Sequence, residues 1–230
     1  MAIHINGGDP ESQTTLLIRR AFLLVVGTMS YNLLEAAVGF WAGTRAGSVA
    51  LMGFSLDSII EISAGGIMAH RLYFQLCDGK SSRSDNAERR ARRFIAFTFF
   101  ALGVYVLWES VSGLISGIGP EKSTVGIVLA MASVIVMPII AAAKLRVARK
   151  LESRALKAEA KETLACAYLS LTLLLGLVCT ALFNWWWADA VAALTMVPWL
   201  VREGMEGFEM EEPPTSSEMG EREDRENQTM

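Results

Sequence analysis

Asp57 and Glu61 stand four residues apart in "GFSLDSIIEISAG", residues 53 to 65, in the middle of a long apolar run. On a helix, i and i+4 side chains share one face, about a turn apart. Two like charges so placed repel, and near a bilayer centre each carboxylate costs at least about 2.5 to 3.5 kcal/mol to insert. A divalent cation between convergent carboxylate oxygens, bound at about 2.0 to 2.6 Å, turns that repulsion into attraction. A proton is the alternative neutraliser, so metal and proton would compete for one site. A second pair with the same spacing, Glu162 and Cys166, occurs in "SRALKAEAKETLACAYLSL". Three carboxylates and one thiolate in a tetrahedron suit zinc or a similar divalent ion. The bland alternative is interhelical hydrogen bonding by isolated acids, with Cys166 a small buried hydrophobe. Two matched pairs favour a metal or proton site.

The elements that must position these pairs are membrane spans. Of 230 residues, 52% are hydrophobic and 20% charged, and the apolar ones gather into blocks. A helical span takes roughly 20 mainly apolar residues, and six such blocks lie at about 16 to 42, 48 to 75, 94 to 116, 123 to 147, 155 to 183 and 188 to 208. The expected fold is an all-α membrane protein, a six-transmembrane-helix bundle over residues 16 to 208. It follows a polar N-terminal segment, 1 to 15, and precedes an acidic tail, 209 to 230, expected to be disordered. "MAIHINGGDPESQTTLL" lacks the basic start and apolar core of a cleaved signal peptide and reads as a mature N-terminus. Cys77, Cys166 and Cys179 have no metal-finger spacing and imply no disulfide framework.

Net charge is −3, but its distribution carries more information than its sum. Arg19 and Arg20 begin the first span, and Arg71, Lys80, Arg83, Arg89, Arg90, Arg92 and Arg93 surround the second connection. Lys144, Arg146, Arg149, Lys150, Arg154, Lys157 and Lys161 surround the fourth, whereas the opposite face carries Arg45 and Lys122. The positive-inside rule then places both termini in the cytoplasm, and the arginine run reads as a topology signal rather than a nucleic-acid patch. Spans two and five run antiparallel in this topology, so Asp57 would lie opposite Cys166, and Glu61 opposite Glu162, near the midplane. Glu35 and Glu109 would sit in the outer half, lining a cavity or packing helices. Asp189, after three tryptophans at the outer interface, would cap its own helix. His4 and His70 are assigned to no metal site.

These segments resemble the cation diffusion facilitator family, divalent-metal/proton antiporters. "GSVALMGFSLDSIIEISAG" is similar to that family's Gly-Ser-x-Ala-Leu followed by His or Asp and x-x-x-Asp. "SRALKAEAKETLACA" is similar to Ser-x-Ala-Leu-x-Ala-Asp-Ala-x-His-x-x-x-Asp, and "WWWADAVAALTMVPWLVREGMEGF" to its sixth span. In register, Asp57, Glu61, Glu162 and Cys166 fall on the four metal ligands. Glu61 stands where the family carries Asp, Glu162 where it carries His, and Cys166 where it carries Asp, so ligand capacity is kept while metal preference is not carried over. The His-rich loop and the cytoplasmic ferredoxin-like domain have no counterpart in these residues. The resemblance therefore implies a transmembrane-only member, pairing through its spans if it is a homodimer.

The expected function is export of a divalent cation, with zinc first and cobalt, cadmium, iron or manganese as other cargoes, in exchange for protons. The partners are the lipid bilayer, the cation and protons, with no nucleic acid. No covalent chemistry is required, so no enzyme is expected, and a plasma or inner membrane is the expected location. The alternative is a transport-inactive relative that binds metal or regulates a partner in the membrane.

Overall fold

The computed structural model describes residues 10–78, 85–117 and 119–209, and every element among them is a helix. They are α1 (Pro10–Ala46), α2 (Val49–Asp78), α3 (Asp85–Ser116), α4 (Thr124–Lys150), α5 (Arg154–Phe183) and α6 (Ala188–Glu209). All six expected blocks are helical, and several helices run further at their polar ends, since the helix persists where the apolar run has stopped. His4, the 210–230 part of the acidic tail, and Lys80 and Arg83 lie outside the described residues.

Five helices, α1 to α5, are long and apolar enough to cross a membrane. At 22 residues α6 is long enough to span in principle. Its second half, however, carries Arg202, Glu203, Glu206 and Glu209, so its apolar stretch is short. The apolar stretches of α1, α3 and α4 bury only 28 to 33% of their residues inside the protein. The remainder presents side chains such as Leu23, Leu33, Phe97, Val104, Ile135 and Ile139 outward. A surface of this kind is stable against lipid and not against water. The chain is an integral, multi-pass membrane protein.

Local sequence explains where the helices turn. Gly47, at φ +64°, makes the tight corner between α1 and α2, a conformation that glycine adopts at little steric cost. Ser123 and Ser153 cap α4 and α5, accepting hydrogen bonds from Gly126 N and Leu156 N. Asn184 ends α5 in the left-handed conformation, which asparagine tolerates. Such short links make α1 and α2, α4 and α5, and α5 and α6 antiparallel neighbours. The start of α1, the ends of α2, α4 and α6 and the starts of α3 and α5 thereby gather at one end of the bundle, called here the terminal end.

Two apolar clusters hold the bundle together. The larger, including Leu51, Phe54, Val106, Met137, Leu173 and Met196, joins α2 to α6. The smaller, including Ala21, Val25, Leu72, Ala148 and Leu156, ties α1, α2, α4 and α5 near the terminal end. At the opposite end Asp189 takes a different role from the one its sequence suggests. It lies inside α6 and caps α2 instead, accepting from Ser48 Oγ at 2.5 Å and Ala50 N at 3.3 Å. The preceding turn folds the α6 start against the α1 to α2 corner, which no local pattern could reveal.

α5 and α6 approach closely at Gly176, where an added Cβ would lie 2.6 Å from Ala192 Cβ and 3.3 Å from Ala188 O. Because both contacts involve backbone or a short side chain, neither can swing away. Gly176→Val should therefore lower the stability of the bundle by about 1 to 3 kcal/mol, read as a fall in the thermal unfolding midpoint in detergent.

Candidate metal centre

α2 and α5, which carry the two acidic pairs, have the most buried apolar stretches, at 50% and 44%. Their polar faces consequently point into protein rather than lipid. The structure brings Asp57, Glu61 and Cys166 together, each offering one ligand atom, with those atoms within 4.8 Å of one another. Asp57 and Cys166 are buried and Glu61 is half-buried. Antiparallel α2 and α5 meet here, with ligand atoms of Asp57 and Glu61 beside one thiol on the neighbouring helix.

Glu162 is placed beside this trio rather than within it. It is half-buried and lines two small cavities flanking Glu61. One holds Asp57, Ala64, Phe99 and Trp199 in its wall and the other Asn32, Gly65 and Glu159. One helical turn separates Glu162 from Cys166, so a rotamer change or a small rotation of α5 would alter its distance from the trio.

The trio sits in a polar frame supplied by α1 and α4. Asn32 Nδ2 on α1 donates to Glu61 Oε2 at 2.7 Å and fixes one carboxylate oxygen. Glu35, one turn further along α1 and fully buried, accepts from Ser58 Oγ on α2 at 3.4 Å and from Ser133 Oγ on α4. On the terminal side Lys144 of α4, fully buried, donates to Glu159 Oε1 at 2.6 Å and to Thr163 Oγ1 at 2.9 Å, both on α5. Among the described residues Lys144 is the one buried cation.

Three of these groups were not picked out as site residues by reading the sequence. Glu35 read as an outer-half residue of uncertain task; it lies behind the trio as a buried acceptor. Lys144 was counted with the charges that set topology, yet it lies six residues inside the end of α4. Glu159 drew no attention at all. Its spacing held the signal, because it precedes Glu162 by three residues and Thr163 by four and so shares their helix face. Glu109 is exposed on α3, apart from this frame, and His70 packs against Phe74 at 4.7 Å between ring centroids.

Carboxylates and a thiol are ligand types that zinc and similar divalent cations accept. Residues 25–206 match the cation efflux transmembrane domain. The chain belongs to the cation efflux family. That match spans most of α1 to α6 and contains every residue of the trio and its frame. No curated protein matches the chain closely. Membership makes a metal cation the cargo class of the chain.

Stability should report the electrostatics of the trio. Asp57→Asn removes one member of a repelling pair, so the metal-free variant should unfold at a higher temperature than the wild type. Zinc or cobalt at about 100 times its Kd should stabilise the wild type by about 2.7 kcal/mol and leave the variant unmoved, as read by thermal unfolding with and without metal.

Proposed function

We propose that this protein carries a divalent metal cation across the membrane, bound by Asp57, Glu61 and Cys166 with Glu162 as the fourth ligand. The observation that carries this reading is the convergence of the three ligand atoms from α2 and α5 within 4.8 Å, in a chain belonging to the cation efflux family. Zinc is the preferred cargo on chemical grounds. It accepts mixed carboxylate and thiolate ligands in tetrahedral geometry without a demand from d electrons. Cobalt and cadmium share enough of that chemistry to compete, whereas manganese favours all-oxygen surroundings.

Protons couple the movement. A carboxyl that gives up a proton to bind metal and recovers it on release exchanges one positive species for another, so the membrane never holds the bare acid cluster. Access alternates between faces, and the cavities flanking Glu61 are the openings from which an aqueous path would grow. The basic residues at the terminal end, including Arg19, Arg20, Arg146, Arg149 and Lys150, favour a cytoplasmic location for that end. The expected direction of transport is therefore outward.

The test is uptake of zinc or cobalt into proteoliposomes under an imposed pH gradient. The wild type should accumulate metal, and both Asp57→Asn and Cys166→Ala should reduce the initial rate at least tenfold, roughly the scale of losing metal-site contacts. Dissipating the pH gradient should slow the wild type. Stoichiometric metal binding without flux would instead assign the chain to a metal-binding, transport-inactive role.

A further inference from the structure

The cavity on the terminal side of Glu61 is walled by Asn32, Glu61, Glu159 and Glu162, with Thr28 and Thr163 beside them. What distinguishes it is the state of its hydrogen bonds. Each donor on these side chains whose bond is described is already committed elsewhere. Thr28 Oγ1 donates to Leu24 O at 2.7 Å and Thr163 Oγ1 to Glu159 O at 3.1 Å, both within their own helices. Asn32 Nδ2 is spent on Glu61, and the Lys144 ammonium on Glu159 Oε1 and Thr163. Lone pairs are left over. Asn32 Oδ1 and Glu159 Oε2 are buried without a hydrogen-bond partner, on residues only 2% and 8% exposed. An unpaired buried acceptor is expensive, and structures keep one where something else satisfies it.

The charge around the cavity narrows that guest. Glu61, Glu159 and Glu162 bring carboxyl groups to the wall, and Lys144 is bound to one oxygen of Glu159, so a positive guest gains from the carboxyl oxygens. Oxygen is the ligand type throughout, which suits a hard or borderline divalent ion rather than one that requires sulfur. Glu61 also belongs to the trio, so it borders both places.

We propose that this cavity is a second, oxygen-only cation subsite, formed by Asn32, Glu159, Glu162 and Glu61, which passes a divalent cation to or from the Asp57, Glu61 and Cys166 trio through the shared Glu61. Lys144 is its tethered counter-cation, holding Glu159 until the travelling ion displaces it. The inference rests on the trio being a metal centre. The two places would differ in ligand chemistry, the trio offering sulfur and the subsite none.

That difference separates the two claims in one experiment on the full chain in detergent. Cobalt reports the trio, because a thiolate ligand gives an intense near-ultraviolet charge-transfer band that oxygen ligands do not. Manganese, read by loss of the free-ion paramagnetic resonance signal, reports the subsite. Asp57→Asn with Cys166→Ser should abolish the cobalt band and still take up one manganese ion. In that background Glu159→Gln should weaken manganese binding roughly tenfold or more, the scale expected for altered metal-site contacts, and Lys144→Met should tighten it by a similar factor. No manganese uptake by the double variant, or uptake indifferent to both further substitutions, would overturn the subsite and leave an ordered water as the guest. If Glu159→Gln fails to fold, Lys144→Met decides alone. Absence of the cobalt band in the wild type would instead overturn the trio.

Discussion

The structure is organised around an excess of buried acid. Asp57 and Glu61 meet within the bundle, with Glu162 and Glu159 beside them and Glu35 behind, and Lys144 is the one buried cation among the described residues. Two ionised carboxylates within 4.8 Å of each other repel by about 3 kcal/mol or more at an effective dielectric of 20. Apolar packing alone would give a more stable bundle with leucine at these positions. Their retention makes sense if a mobile positive charge completes the structure, so the same imbalance that weakens the empty bundle supplies the affinity for its cargo.

The helices are arranged to make that imbalance tolerable. α2 and α5, the most buried, present the acids to each other, while the outer faces of α1, α3 and α4 meet lipid with leucine, valine, isoleucine and phenylalanine. Neutral donors and one ammonium then fix the acids one oxygen at a time. Asn32 holds Glu61, Ser58 and Ser133 hold Glu35, and Lys144 holds Glu159. At the end far from the termini, Asp189 binds the first turn of α2 through Ser48 and Ala50. It anchors the start of the helix that carries Asp57 and Glu61. A substitution there would be felt at Asp57, two turns away, without touching the trio.

Much of this was legible in the chain. Apolar blocks of spanning length gave six helices, most bounds falling within about four residues and the starts of α1 and α3 lying six and nine residues earlier, because burial in lipid makes hydrophobic length nearly sufficient to locate a membrane helix. The i, i+4 pairs on the second and fifth spans pointed to Asp57, Glu61 and Cys166, whose ligand atoms lie within 4.8 Å of one another, since helical periodicity converts spacing directly into a shared face. Glu162 was expected among them and stands alongside, a difference of one helical turn and a rotamer that spacing cannot resolve. The contributions of Asn32, Ser133 and Lys144 depend on which face of α1 and α4 turns inward, a property of packing and not of either helix. Asp189 was misjudged for the same reason: capping rules consider a helix's own amides, and its target belongs to a helix 139 residues earlier in the chain.

The central claim is that two carboxylates from one helix and a thiolate from its antiparallel neighbour bind the same ion. X-ray absorption at the zinc edge of the metal-loaded protein tests it most directly. One sulfur at about 2.3 Å, accompanied by oxygen ligands at about 2.0 to 2.2 Å, and loss of the sulfur shell in Cys166→Ser are the predicted result. A spectrum with no sulfur neighbour in the wild type, from protein shown to be folded and stoichiometrically loaded, would contradict it.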